Sequence, residues 1–499
     1  MFFVYIFSLE LMILHTNDHH GTLFNYWYEI NEVAGLAERA SIIKSIREGN
    51  ENSLLLDAGD MNTGVYESNI FRAEPDIKSY NLIGYDAVTL GNHEFYGGLE
   101  RVKQQIEWAT FPFLSANVFM TDLETEDSIN ASLRESDSIN ASLQLGMPYV
   151  TFTMPNGLYV AVIGLTTTHK ALHSDFFVKD GIEVATELVR MLRPKADIVI
   201  ALTHLGIYDF GEEELYGSIR LAMNVPGIDL IIDGDSHTLL EEPAIVNGVP
   251  ILQAGERGRH LGKAILNFDM ETGEVSLTSW ETIPLMRAYD DLPFEKDEEV
   301  FEVIEYFRLK AIEAGNEKLG YTTRPFRQMF INERIIALGR VVCEAMKEAT
   351  IEYGTDVAFY NSGGIRADLL SGDIRISDVY NVLPFGNEIV VVEMPGTVLL
   401  DIMVTSFLDK VNTRGFLQYS NNVGVMQMPP DIVLPNLSGG DIEPDRIYKV
   451  ATSSFLAGGG DGYTQFEYAN RIIETGISDR EALMEYIRTN DFFRENDDK

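Results

Sequence analysis

The chain has 499 residues, enough for two large domains or three ordinary ones. Its 38 Lys and Arg face 77 Asp and Glu, a formal net charge of −39, which excludes a general binder of nucleic-acid backbones and disfavours an anionic membrane surface. A hydrophobic share of 45% with 10% aromatics supplies packed cores and excludes a mainly disordered chain.

From the N-terminus, Met1 to Leu14 is apolar but carries Ser8 and Glu10. It lacks a basic leader region and a small-x-small cleavage site, so it is no clean secretion signal, and Met12 offers an alternative start. Leu11–Leu14 reads as the first core strand. Ser53–Leu56, Ala87–Leu90, Tyr159–Ile163, Ile198–Leu202 and Leu230–Ile232 follow as β-rich runs bounded by Gly, Asp or Asn. Amphipathic segments such as Gly35–Glu48 and Gly98–Trp108 lie between them. The alternation predicts an α/β domain whose strands are buried on both faces.

Thr121–Leu145 interrupts this pattern with acidic, Ser/Asn-rich sequence, in which Asp127–Leu133 is repeated at Asp137–Leu143. Two copies of ten residues are too few for a solenoid, so it reads as a duplicated surface insertion. Asp290–Gly315 is rich in Glu and Lys, with helical spacing at Val300, Val303, Ile304 and Phe307. It reads as a helical linker. A second α/β pattern runs from about Tyr321 to Ile487. The expected division is a first domain over 9–289 with its insertion at 121–145, a linker over 290–320 and a second domain over 321–490. Cys343 is the single cysteine, which excludes an internal disulfide and any Cys-based zinc site. No run reaches the roughly 18 apolar residues of a membrane-spanning helix.

The polar residues after each strand carry the chemistry, because α/β sheets hold ligands at strand C-terminal ends. Five of these six strand ends deliver, in order, Asp18 and His20, then Asp60, then Asn92 and His93, then His204, then Asp235 and His237. Most of the 9 histidines sit in or beside these loops. The seven nitrogen and oxygen donors Asp18, His20, Asp60, Asn92, His204, Asp235 and His237 suit two divalent cations sharing a carboxylate, with positions open to water and substrate.

These loops read ILHTNDHHG (13–21), LLLDAGD (54–60), TLGNHEF (89–95), ALTHLG (201–206) and IIDGDSHT (231–238). In the second half stand NSGGIR (361–366), PFGN (384–387) and FLAGGGDGY (455–463). In this order, over roughly residues 9–490, the chain resembles the 5′-nucleotidase family. The resemblance implies a four-layer α/β/β/α metallophosphoesterase sandwich followed by a C-terminal α/β substrate-binding domain. It also implies hydrolysis of nucleoside 5′-monophosphates, a small-molecule substrate and no nucleic acid polymer, in a periplasmic or extracellular setting. The alternatives are a UDP-sugar pyrophosphate or 2′,3′-cyclic nucleotide as substrate, or nucleotide binding with weakened catalysis.

Carried over residue by residue, the resemblance assigns Asp18, His20, Asp60 and His237 to one cation. Asp60 would bridge to a second, completed by Asn92, His204 and Asp235; the ions could be Mn, Zn, Co or Mg. His93 would be the catalytic histidine. Arg366 and Asn361 would contact phosphate and nearby atoms, Phe385 and Phe455 would sandwich the base, Asn387 would approach its edge, and Asp461 would take the ribose hydroxyls. An arginine fork matches phosphate oxygens, and base–aromatic stacking contributes about 1–3 kcal/mol per base.

Three positions depart from the family pattern. Asp235 stands where the family usually has His before Ser and a His or Gln, a harder donor that moves preference toward manganese or magnesium. Tyr96 stands where an Asp usually partners the catalytic histidine. Asn332 replaces an arginine, with Arg327, Arg334 and Arg340 as the nearby cations.

Overall fold

The computed structural model describes residues 8–28, 31–95, 97–120, 145–167, 176–208, 217–288, 291–328, 335–411, 413–428, 432–437 and 440–494. The duplicated insertion, Tyr96, Asn332 and Arg334 lie outside the described residues. The chain divides into two compact units, residues 1–309 and 310–499.

The first unit is built on two six-stranded sheets. One runs, edge to edge, Val275–Pro284, His260–Asp269, Ser8–Thr16, Ser53–Asp57, Ala87–Thr89, Phe113–Leu114. The other runs Ala244–Val246, Val249–Leu252, Leu230–Ile232, Ile198–His204, Tyr159–Thr166, Tyr149–Thr153. The period-2 alternation of strand side chains decides what each residue meets. Leu54 and Leu56 join Ile198, Ile200 and Leu202 in a core between the sheets. Leu55 points the other way, into the core under helices Leu36–Arg47 and Glu74–Ile83. Val199 and Ala201 do the same beneath Gly181–Leu192 and Gly217–Asn224. Helices therefore cover both outer faces, which gives the four layers α/β/β/α. Burial of each large aliphatic side chain contributes roughly 1.5–3 kcal/mol, so the layering rests on these runs.

The first strand extends beyond the expected Leu11–Leu14 because its N-terminal half has a partner remote in sequence. Ser8 to His15 pair antiparallel with Asp269 to Gly262, whereas the parallel neighbour Ser53–Asp57 reaches only Met12 to Thr16. The helix Glu298–Gly315 begins in the expected linker. Its Val300 and Ile304 are buried in the first unit's core, and Phe307 meets Phe71 edge-on with ring centroids 5.1 Å apart.

The second unit has a five-stranded sheet in the order Leu417–Tyr419, Val357–Asn361, Ile447–Ser453, Glu388–Pro395, Arg471–Ser478. Helices Ala337–Ala349 and Asp479–Thr489 cover one face through Val342, Met346, Leu483 and Ile487. Gly396–Leu408 covers the other through Leu399, Ile402 and Met403. Cys343 is fully buried among the first of these cores, and burial pushes its thiol well above its usual range. Among the described residues no helix is long and apolar enough to cross a membrane.

Candidate active site

Parallel pairing sets the strand ends of the first unit side by side. Thr16 lies opposite Asp57, and His204 opposite Thr166, so the loops that follow emerge on one edge. The backbone there is strained: Asp18, His20, Asp60, Asp235 and His237 all hold positive φ, between 51° and 73°. Such angles cost non-glycine residues free energy and persist where the surroundings impose them. Gly91 has its own steric reason, since a Cβ there would sit 2.2 Å from Asp60 Oδ1. Only a bare Cα lets that carboxylate lie against the loop.

Three overlapping groups of side chains offer donor atoms within 4.8 Å of one another: Asp18, His20 and His237; His20, Asp60 and His93; Asp18, Asp60 and His204. Asp18 and Asp60 each belong to two groups, so either carboxylate is placed to serve two ions. The imidazoles are oriented from behind. His204 Nδ1 lies 2.7 Å from the Ala58 carbonyl, His20 Nδ1 lies 3.1 Å from the Thr63 carbonyl, and His237 Nδ1 lies 3.0 Å from Glu256. Donating there leaves each Nε2 as a lone pair facing the centre, as metal-bound histidines require. His20 Nε2 and His237 Nε2 are 3.0 Å apart, so with both Nδ1 atoms donating, two lone pairs confront each other unless a proton or a metal ion lies between them. A cation resolves that conflict, so the residues fit a metal.

The carboxylates add to the same argument. Asp18, Asp60 and Asp235 are all buried, and His204 Nε2 lies 3.2 Å from Asp60 and 3.6 Å from Asp235. The Asp235 backbone N–H donates to both Asp18 oxygens, at 3.2 and 3.1 Å. Burial opposes charge on His204, yet Asp60, Asp18 and Asp235 hold its pKa well above the usual range. Burial likewise opposes charge on His237, but hydrogen bonds to Asp18 and Glu256 raise its pKa to about 10. Three buried carboxylates demand positive charge, which protons supply when no ion is bound.

His93 occupies the same edge. Its backbone N–H donates to Asp60 Oδ1 at 2.8 Å, its Nε2 lies 3.7 Å from Asp60 Oδ2, and its ring meets that of His20 edge-on at 4.7 Å. Asn92, one residue earlier, is buried. Two acidic residues that sequence reasoning left without a role hold this arrangement together. Glu94 accepts from the backbone N–H groups of Asp60, Met61, Asn62 and Gly91, at 3.0, 2.9, 3.3 and 2.7 Å, and so ties two ligand loops to each other. Glu256 orients His237. Glu94 was visible as the carboxylate directly after His93; Glu256 had no local signal. His15 and His19, beside the ligands in sequence, point elsewhere: His15 stacks on Trp280, and His19 sits between Arg39 and Asp76.

In the second unit, the parallel strands Val357–Asn361 and Ile447–Ser453 end together, and Glu388–Pro395 starts at the same edge, with Ile389 opposite Ser453. Asn361 Nδ2 therefore reaches Asp461 Oδ2 at 2.8 Å. The Arg366 guanidinium lies over the Phe385 ring, 5.4 Å from its centroid. Asn387 Nδ2 lies 3.4 Å from the Tyr360 hydroxyl, and its backbone N–H donates to Asp479. Phe455 is half-buried against Gly460, where a Cβ would come within 2.5 Å of its ring. Arg327 pairs with Asp368 at 2.8 Å, and Arg340 approaches the Ser420 carbonyl at 3.5 Å.

Residues 11–239 match the calcineurin-like phosphoesterase family model, and residues 318–468 match that of the 5′-nucleotidase C-terminal domain. The chain is 31% identical to Protein UshA of Yersinia enterocolitica, over 96% of this chain and 91% of that one. It is 32% identical to the 5′-nucleotidase of Vibrio cholerae, over 97% and 91%. Among solved structures it resembles a 5′-nucleotidase precursor from Thermus thermophilus, with a TM-score of 0.69, 27% identity and 96% of each chain covered. With its two domain matches in that order and its relatives matched nearly end to end, the chain belongs to the 5′-nucleotidase family of metallophosphoesterases.

Proposed function

We propose that the chain hydrolyses nucleoside 5′-monophosphates to nucleoside and phosphate at a centre of two divalent cations. The observation that carries this reading is the convergence of His20, His204 and His237 Nε2 atoms on the buried carboxylates of Asp18, Asp60 and Asp235. Those six side chains and Asn92 would hold the ions, which supply Lewis-acid polarisation of phosphoryl oxygen and a water of lowered pKa. The remaining roles belong to the chain itself. His93, held by Asp60 through its backbone, stands ready to give a proton or hydrogen bond to a phosphoryl or leaving oxygen. Arg366 offers a fixed positive fork to phosphate. Phe385 and Phe455 stack a base, Asn387 meets its edge, and Asn361 keeps Asp461 oriented to accept from ribose hydroxyls. The family resemblance supports a periplasmic or extracellular site of action, which fractionation of the native host would test.

The test is phosphate release from AMP, UDP-glucose and 2′,3′-cyclic AMP, each with added Mn²⁺, Zn²⁺, Co²⁺ or Mg²⁺. AMP is expected to be the best substrate, with activity lost to a chelator and restored by metal. Faster cleavage of UDP-glucose or the cyclic nucleotide would overturn the monophosphate assignment. Tight AMP binding with no release under any metal would overturn hydrolysis itself.

A further inference from the structure

The two cation positions are built from unequal donors. The group of Asp18, His20 and His237 offers two imidazoles and one carboxylate. The group of Asp18, Asp60 and His204 offers one imidazole and two carboxylates. Asp235 lies outside these groups but beside the second, its Oδ1 3.6 Å from His204 Nε2. That spacing suits two donors of one ion, each about 2.1 Å from it. Asp235 is also fixed in place: it is buried, its φ is 73°, and its backbone N–H is anchored on both oxygens of Asp18.

Imidazole nitrogen suits zinc and its neighbours, whereas carboxylate oxygen suits the harder magnesium and manganese ions. The carboxylates crowd around His204, while the second imidazole of the other group, His237, is turned toward Asp18. We infer that the chain is a mixed-metal protein: the His20–His237 position retains zinc, and the His204–Asp235 position selects a hard divalent cation, manganese or magnesium, with Asp235 as the selecting residue. This inference rests on the two-cation reading above and adds to it which ion each position takes.

The selection works through donor hardness and charge together. Near His204 one ring faces the carboxylates of Asp60 and Asp235, so a small hard cation gains most of its binding from charge. A zinc ion there has a single nitrogen and is more readily exchanged. Because zinc outbinds manganese at most nitrogen and oxygen sites, the difference is read by displacement and not by simple uptake.

The experiment loads the full chain with two equivalents of Zn²⁺, dialyses it against excess Mn²⁺, and counts both metals by elemental analysis, with the Mn²⁺ electron paramagnetic resonance signal as a second readout. The wild-type chain is expected to release one zinc and take up one manganese. Asp235→His is expected to keep both zinc ions and show no bound manganese signal. Asp235→Asn, which removes the charge but adds no imidazole, is expected to lose manganese uptake while retaining the first zinc. Release of both zinc ions or of neither by the wild-type chain overturns the inference, and so does an Asp235→His protein that exchanges as wild type does. If the histidine variant fails to fold, the wild-type displacement alone decides. Failure of either protein to bind metal stoichiometrically sinks the two-cation reading instead, which is a separable result.

Discussion

Glu94 never faces the centre, yet it receives four backbone N–H groups from the loops that carry Asp60 and His93. An amide has one acceptor oxygen where a carboxylate has two, and it would present N–H to N–H. Glu94→Gln should therefore weaken metal retention and lower kcat by about 10- to 100-fold, the range for residues behind a metal ligand. Metal content and turnover of the purified variant check this. Asp60→Asn should be more severe, because it removes charge from a carboxylate within reach of His20, His93 and His204. Loss of at least one metal equivalent is expected, and two retained equivalents with near-normal turnover would remove Asp60 from a bridging role. The His237–Glu256 pair makes the metal-free chain sensitive to pH. With its pKa raised from 6.5 to about 10, His237 contributes stability that is full below pH 6.5 and is lost as pH climbs toward 10. Burial works against the Glu256 carboxylate, but His237 and two arginines still lower its pKa from 4.5 to about 2. Its contribution is full above pH 4.5 and is lost as pH falls toward 2. Denaturant melts of metal-free protein should show this plateau between about pH 4.5 and 6.5, and Glu256→Gln should flatten the alkaline decline.

At the scale of elements, the candidate metal ligands inherit their positions from strand ends, and one helix owes its start to a cap. The helix Gly181–Leu192 starts at Asp180, whose carboxylate accepts from the N–H groups of Ile182 and Glu183 at 2.8 and 3.4 Å. Asp180→Ala should cost about 1 kcal/mol of stability, read from urea unfolding, with catalysis untouched. Phe455 stands on the short helix Ser454–Ala457 behind the strand Ile447–Ser453. Phe455→Ala should raise KM for AMP and spare p-nitrophenyl phosphate, since stacking acts only when a base is present. Equal losses on both substrates would make Phe455 a packing residue. Much of this layer was legible in the residues. Leu230–Ile232 and Gly98–Trp108 have the bounds their patterns predicted, because runs buried on both faces and amphipathic helices carry local signals. The hairpin of His260–Asp269 and Val275–Pro284 was not read, because half-exposed strands mix polar and apolar residues, and pairing to Ser8–Thr16 spans some 250 residues of chain. The same holds at the site. Ligand residues announce themselves by type at strand ends, whereas Glu256 acts only through a contact that folding creates.

For the whole molecule, a small part of the negative charge sits where it is most costly. Asp18, Asp60 and Asp235 are buried together, so removing metal leaves protonated His204 and His237 to offset their charge. Chelation should lower the melting temperature of the first unit's transition, and added Mn²⁺ or Zn²⁺ should restore it in a concentration-dependent way. Differential scanning calorimetry of the full chain checks both directions. The second unit carries its own reporter. Cys343 is the chain's one thiol, on the buried face of the helix Ala337–Ala349 and kept protonated by burial. Thiol reagents therefore meet no reactive sulfur until that core opens, and the rate of single-site labelling becomes a clock for opening of the second unit. Nothing at the metal centre is touched by the readout, so the effect of a bound nucleotide on that unit can be timed without following catalysis at all.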